Sequence, residues 1–144
     1  MNNKLIFKPS PRIAVKQQTN VAPNNATVFS QVRPVIFAEA LTRVGVEELL
    51  KKFMSAVGSP LSHNGVILGH IKVSARLATR NDFLFLSLTR LDKVDVKASP
   101  QWSSTDCGRI DHLELDINVL IFGYSISRVE TAVDTALQEL RDSF

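Results

Sequence analysis

Apolar and polar side chains alternate with a period of two through much of the chain after residue 65, which predicts β-strands. Residues 65–78 place apolar side chains on one face and polar or basic side chains on the other. Residues 83–97 form a second strand region that is apolar throughout its first part, and residues 111–122 alternate most regularly. A tight turn at 79–82 joins the first two strands, which favours an antiparallel meander.

A helical period flanks these strands on both sides. Between residues 31 and 57 apolar side chains recur at helical spacing, and Pro34 is acceptable at a first helical position. Gly45 lies inside this segment, where we expect a break or kink because glycine costs about 1 kcal/mol in a helix interior. The last helix follows Ser127, which forms a capping box with Glu130 three residues later. The predicted order is therefore arm, helix, three strands, helix.

This order predicts an α+β fold, in which a three- to four-stranded antiparallel sheet carries two helices on one face. We expect residues 1–29 to be a basic extended arm, which is a candidate for the fourth strand, and residues 30–144 to be a single domain. The strand from Phe83 to Leu91 is apolar on both faces, and helices on one side cannot cover both. Because an apolar second face is usually an interface, we expect a homo-oligomer formed by sheet packing or by exchange of the arm.

Positive charge is concentrated in the arm. Five of the 17 Lys and Arg residues lie in the first 38 positions, which contain none of the 14 acidic residues. Four of them recur at every fourth position, so an extended strand would carry them on one face: Lys4, Lys8, Arg12 and Lys16. This stripe suits contact with a partner, and it equally suits an edge strand that charge protects from aggregation. Nucleic acid is a weaker fit, since Phe7 is the only aromatic residue between Lys4 and Lys16.

Three polar residues of the predicted strands form a candidate metal site. His70, His112 and Glu114 could share the polar face of the sheet, and two imidazoles with a carboxylate would suit zinc or iron. Their spacing matches no established ligand pattern, however, and ordinary surface histidines are the alternative. We therefore expect no cofactor.

The loop over residues 98–110 contains two further candidates. Cys107 is the only cysteine, and His112 or Arg109 could activate it as a nucleophile, whereas the neighbouring carboxylates would disfavour the thiolate. Trp102 is the only tryptophan. It could anchor a partner protein, or it could fold back to cap the edge of the core.

The function class is inferred from the motifs that the sequence lacks as well as from the patterns described above. Glycine loops that bind phosphate and serine-nucleophile motifs are both absent from the sequence. We expect a non-enzymatic binding or assembly protein that self-associates through its sheet and arm. Two alternatives stay open: a small metal-dependent or thiol enzyme using His70, His112, Glu114 and Cys107, and a nucleic-acid-associated protein that binds phosphate through the arm.

Location is inferred from two features of the sequence. A single cysteine cannot form an internal disulfide, which fits a reducing compartment. No apolar run reaches the roughly 18–20 residues that span a bilayer. We therefore expect a cytoplasmic protein that makes no membrane contact.

Overall fold

An antiparallel sheet of six strands organises the part of the chain that the computed structural model describes, which is residues 26–77, 82–103 and 108–143. The sheet has the order β1-β6-β3-β4-β5, and the short β2 pairs with the start of β3. The strands are β1 (Thr27–Leu41), β2 (Ser62–His63), β3 (Val66–Arg76), β4 (Phe83–Arg90), β5 (Lys93–Ala98) and β6 (Ile110–Ile121).

Two long helices pack against each other and against one face of this sheet. They are α1 (Arg43–Gly58), which a short 3₁₀ turn (Ser59–Leu61) follows, and α3 (Ile126–Asp142). A third helix, α2 (Pro100–Ser103), is a single turn after β5. The α+β class and the antiparallel sheet are thus confirmed, although the described part of the sheet has more strands than predicted.

The core lies between the sheet and the two long helices. Each strand contributes alternate side chains to it, as a period of two requires. In β6 these are the odd-numbered residues from Leu113 to Ile121, and each is at most 2% exposed. The helices contribute side chains at helical spacing, and the largest fully buried ones are Leu50, Phe53 and Met54.

The helix predicted over residues 31–57 is wrong in its first part. Residues 31–41 belong to β1, and α1 begins only at Arg43, where the Thr42 hydroxyl accepts a hydrogen bond from the Gly45 amide at 3.0 Å. These residues form a strand and not a helix because they pair with β6. β1 supplies the backbone hydrogen-bond partners along one side of that long strand. Pro34 is tolerated because β1 is an edge strand. Gly45 lies in the first helical turn, so it does not interrupt a helix.

Two other boundaries differ from the predicted ones. The second strand region is a hairpin, in which β4 and β5 are joined by a turn at Leu91 and Asp92. The capping box at Ser127 is also wrong, because Ser125 is the N-cap of α3 and its hydroxyl accepts a hydrogen bond from the Arg128 amide at 3.2 Å.

The predicted arm lies mostly outside the described residues. Its last three positions, from Thr27, begin β1. The four basic residues of the stripe, Lys4, Lys8, Arg12 and Lys16, fall within residues 1–25, and Cys107 falls within residues 104–107. Both segments are outside the described part of the chain.

Candidate interaction surface

The sheet face opposite α1 and α3, which we call the open face, is not covered by any helix of the described residues. It carries the even-numbered side chains of β1, β3 and β6 and the odd-numbered side chains of β4 and β5. Among the described residues, every exposed large hydrophobic side chain except Val44 occupies one of these positions or directly follows β6. They are Val28, Ile36, Val66, Leu68, Phe83, Phe85 and Phe122, each 39–73% exposed.

Charge in the middle of the open face is sorted by strand. The central strand β6 presents Glu114 and Asp116, whereas its neighbour β3 presents Lys72 and Arg76. Arg76 Nη2 lies 3.0 Å from Glu114 Oε1, and about half of each side chain is exposed. An exposed pair of this kind contributes at most about 1 kcal/mol to stability. The two middle strands therefore form an acidic column beside a basic column.

Apolar side chains lie around the two charged columns. At one end of the face, Leu120 pairs with both Val28 and His70, and the Phe122 amide donates a hydrogen bond to the Leu68 carbonyl at 2.8 Å. Along the two flanks, β1 presents Val32 and Pro34, and β4 presents Phe83 and Phe85. The open face thus combines apolar margins with a charged centre.

The structure does not bring the candidate metal ligands together. His70 pairs with Leu120, and His112 lies eight residues away from Leu120 along β6, which corresponds to about 27 Å. Glu114 is instead paired with Arg76, and His112 Nδ1 lies 2.8 Å from Asp111 Oδ1. Within residues 26–77, 82–103 and 108–143, no three His, Cys, Asp or Glu side chains form a group that could hold a metal ion. Lying on the same sheet face is not sufficient to form a metal site, since the register of the strands sets the distance between the side chains.

Trp102 folds back onto the core and does not lie exposed as an anchor for a partner. The side chain is 4% exposed and belongs to the core, with the Arg43 guanidinium 5.2 Å from its ring centroid. Arg43 also lies 3.3 Å from Asp82, whose side chain is 2% exposed. In this position Trp102 stabilises the start of α1 and is not available as an exposed anchor.

Arg33 lies on the helix side of β1. Burial lowers the pKa of Arg33, nearby Arg141 of α3 lowers it further, and Asp134 acts in the opposite direction. The Arg33 side chain donates a hydrogen bond to Gln31 Oε1 at 3.4 Å. Arg33 therefore belongs to the helix side of β1 and is not part of the open face.

Sequence reasoning missed the contribution of β1 to the open face. Val28, Val32, Pro34 and Ile36 point there, but most of this segment was predicted to be helical. Val35, Ile36 and Phe37 alternate between buried and exposed in the structure, but all three are apolar, so the sequence pattern at these positions does not separate a strand from a helix.

No helix in the described part of the chain is long and apolar enough to cross a membrane.

Comparison with known proteins identifies no family. No protein-family model matches the chain, and no curated protein matches it. Among solved structures, the chain is similar to a zinc-bound triple mutant of the YjiA GTPase, with a TM-score of 0.34 and 10% sequence identity. The match covers 79% of this chain and 30% of that one. A likeness at this TM-score carries no argument about fold or function, so the surface itself is the basis for a functional proposal.

Proposed function

We propose that this protein is a non-enzymatic binding or assembly protein that self-associates through the open face. The observation that carries the proposal is the concentration of exposed large hydrophobic side chains on that face, from which only Val44 is separate among the described residues. Exposed apolar surface of this extent on one face is uncommon in monomeric folds and marks an interaction site.

The dimensions of the face support the proposal. β3, β4 and β6 are paired over six common levels, from Ile71 to Arg76, so five neighbouring strands give a central surface of about 20 Å by 20 Å. The strand ends beyond these levels, which carry Val28, Leu68 and Phe122, extend this surface toward the roughly 800 Å² per partner of a standard stable interface. The face carries both basic and acidic side chains, so it does not present a single sign of charge that would repel a second copy in every orientation.

The other predicted functions gain no support from the described residues. An enzyme site using His70, His112, Glu114 and Cys107 would need side chains that register separates, together with a cysteine outside the described part. Phosphate binding through the arm stays a prediction as well. We include a cytoplasmic location in the proposal, which the single cysteine supports.

Native mass by light scattering tests this function. We expect the intact chain to be a multimer and Leu68→Lys, at 46% exposure on the open face, to be a monomer with an unchanged circular dichroism spectrum. Val44→Lys is the matched control, because Val44 is an exposed aliphatic side chain on α1, away from the open face. The proposal is wrong if the intact chain is a monomer at micromolar concentration, or if both variants lower the mass equally.

A further inference from the structure

We propose that the open face binds a second copy of this chain, related by a two-fold axis that runs parallel to the strands between β6 and β3. This inference rests on the proposed function and specifies its partner and geometry. It is derived from strand register, which fixes the side chains that lie at the same level on neighbouring strands.

The two-fold operation determines which strands meet. A rotation about an axis parallel to the strands preserves the position along each strand and exchanges the two sides of the axis. It therefore lays β6 over β3 of the second copy, and β1 over β4. Such face-to-face sheets pack about 10 Å apart with strands within about 30° of each other, so the match is best near the axis.

The charged columns are complementary under this operation. Glu114 pairs with Arg76 and Asn118 pairs with Lys72 in the sheet, so each couple lies at one level. In the dimer, Glu114 of one copy faces Arg76 of the other, and Asn118 faces Lys72. The central ion pair becomes a group of four charges that alternate in sign. Isologous interfaces require this property, because the same patch must match itself.

The apolar margins are complementary under the same operation. The hydrogen bond from the Phe122 amide to the Leu68 carbonyl shows that these two residues are level, so Phe122 of one copy covers Leu68 of the other. The flanks also match, because Val32 and Pro34 on β1 are level with Phe85 and Phe83 on β4. Apolar side chains would thus cover apolar side chains on both sides of the charged centre.

The other in-plane axis lacks this match. A two-fold axis perpendicular to the strands would lay β6 over β6 and β3 over β3. The acidic column would then face its own copy, and the basic column would do the same. Like charges that face each other in a desolvated interface repel strongly, so the arrangement of charge selects the axis parallel to the strands.

Charge exchange between two copies tests the geometry. Glu114→Arg and Arg76→Glu each place like charges at the axis, and we expect each alone to raise the dimer dissociation constant by about a hundredfold. An equimolar mixture of the two variants restores both facing pairs. Native mass spectrometry should therefore show dimers of one Glu114→Arg chain and one Arg76→Glu chain, and few dimers of either alone.

Two further variants complete the experiment. The double variant Glu114→Arg with Arg76→Glu should dimerise like the intact chain, which shows that the exchanged side chains are compatible with folding. Asp95→Lys is the matched control, because Asp95 is an exposed acid on β5, which lies beyond β1 of the second copy. We expect its mass to equal that of the intact chain.

The outcomes separate this inference from the proposed function. An intact chain that is monomeric contradicts both. A dimer that persists in Glu114→Arg and Arg76→Glu overturns the two-fold axis, while the assembly function stands. Single variants that dissociate without forming mixed dimers also overturn it, since the facing partners would then be other residues.

Discussion

At the scale of single residues, Gly69 is a position where the backbone itself requires glycine. Its φ is +143°, a conformation that side chains other than glycine rarely adopt. A Cβ there would lie 1.9 Å from the Leu120 carbonyl oxygen, which is backbone and cannot rotate away. Gly69 is therefore what allows β3 to approach β6 beside Leu120 and Leu68.

We predict that Gly69→Ala destabilises the fold by about 3 kcal/mol, the combined scale of a strained backbone and an overpacked contact. The midpoint of urea unfolding measures this change. Gly108→Ala is the control, because no described residue lies within 4 Å of a Cβ there, so its midpoint should not move. Equal midpoints for the two variants would contradict the close approach of β3 and β6.

The sequence predicts which residues of β3 and β6 are buried, but it does not predict what Gly69 does. Alternation from Ile71 to Ala75 and from Leu113 to Ile121 assigns each side chain to a face without any knowledge of neighbours. The role of Gly69 depends on a carbonyl some 50 residues away, which only the register of β3 with β6 supplies. Strand periodicity is local information, whereas backbone contact between strands is not.

At the scale of elements, the two long helices show where the periodicity of the sequence predicts a helix correctly and where it does not. α3 has a strong helical period and is found where it was predicted, whereas α1 begins twelve residues after the start of its predicted segment. Between Val32 and Val44 the apolar residues fit a helical period, yet pairing of β1 with β6 makes the segment up to Leu41 a strand. Tertiary pairing overrides a local period when the two are nearly balanced.

The N-terminus of α3 provides a test at this scale. We predict that Ser125→Ala lowers stability by about 1 kcal/mol, because the Ser125 hydroxyl caps the Arg128 amide. Ser127→Ala should be close to neutral, since Ser127 lies inside the first turn and alanine is a better helix former. Thermal unfolding of both variants decides the matter. A larger loss of stability in Ser127→Ala than in Ser125→Ala would contradict Ser125 as the N-cap and support the capping box predicted from the sequence.

At the scale of the whole molecule, the sequence predicted that the second sheet face is apolar but not how that face is arranged. The apolar run from Phe83 to Leu91 was sufficient to expect an interface. Self-complementarity follows only when Glu114 is level with Arg76 and Phe122 with Leu68. These relations are set by register between strands far apart in the chain, which no periodicity within one strand contains.

The boundary between arm and body leads to a prediction about the complete molecule. β1 begins at Thr27, whose hydroxyl donates a hydrogen bond to the Tyr124 carbonyl at 2.6 Å, and it places Phe29 in the core at 2% exposure. A chain that lacks residues 1–29 therefore loses part of its core, whereas one that lacks residues 1–25 keeps every described residue. We predict that the shorter chain is less stable than the longer by about 3 kcal/mol or more, the cost of removing a buried phenylalanine.

Urea unfolding of the two truncated chains, compared at one protein concentration, measures this difference. Phe29→Ala in the full chain is the control, and it should reproduce most of the loss, because the missing aromatic side chain and not the missing length is the cause. Equal midpoints for the two truncations would contradict the assignment of Phe29 to the core. If the midpoints differ as predicted, only the chain lacking residues 1–25 can report what the basic arm contributes to assembly, since a change of mass in the other would also reflect a damaged sheet.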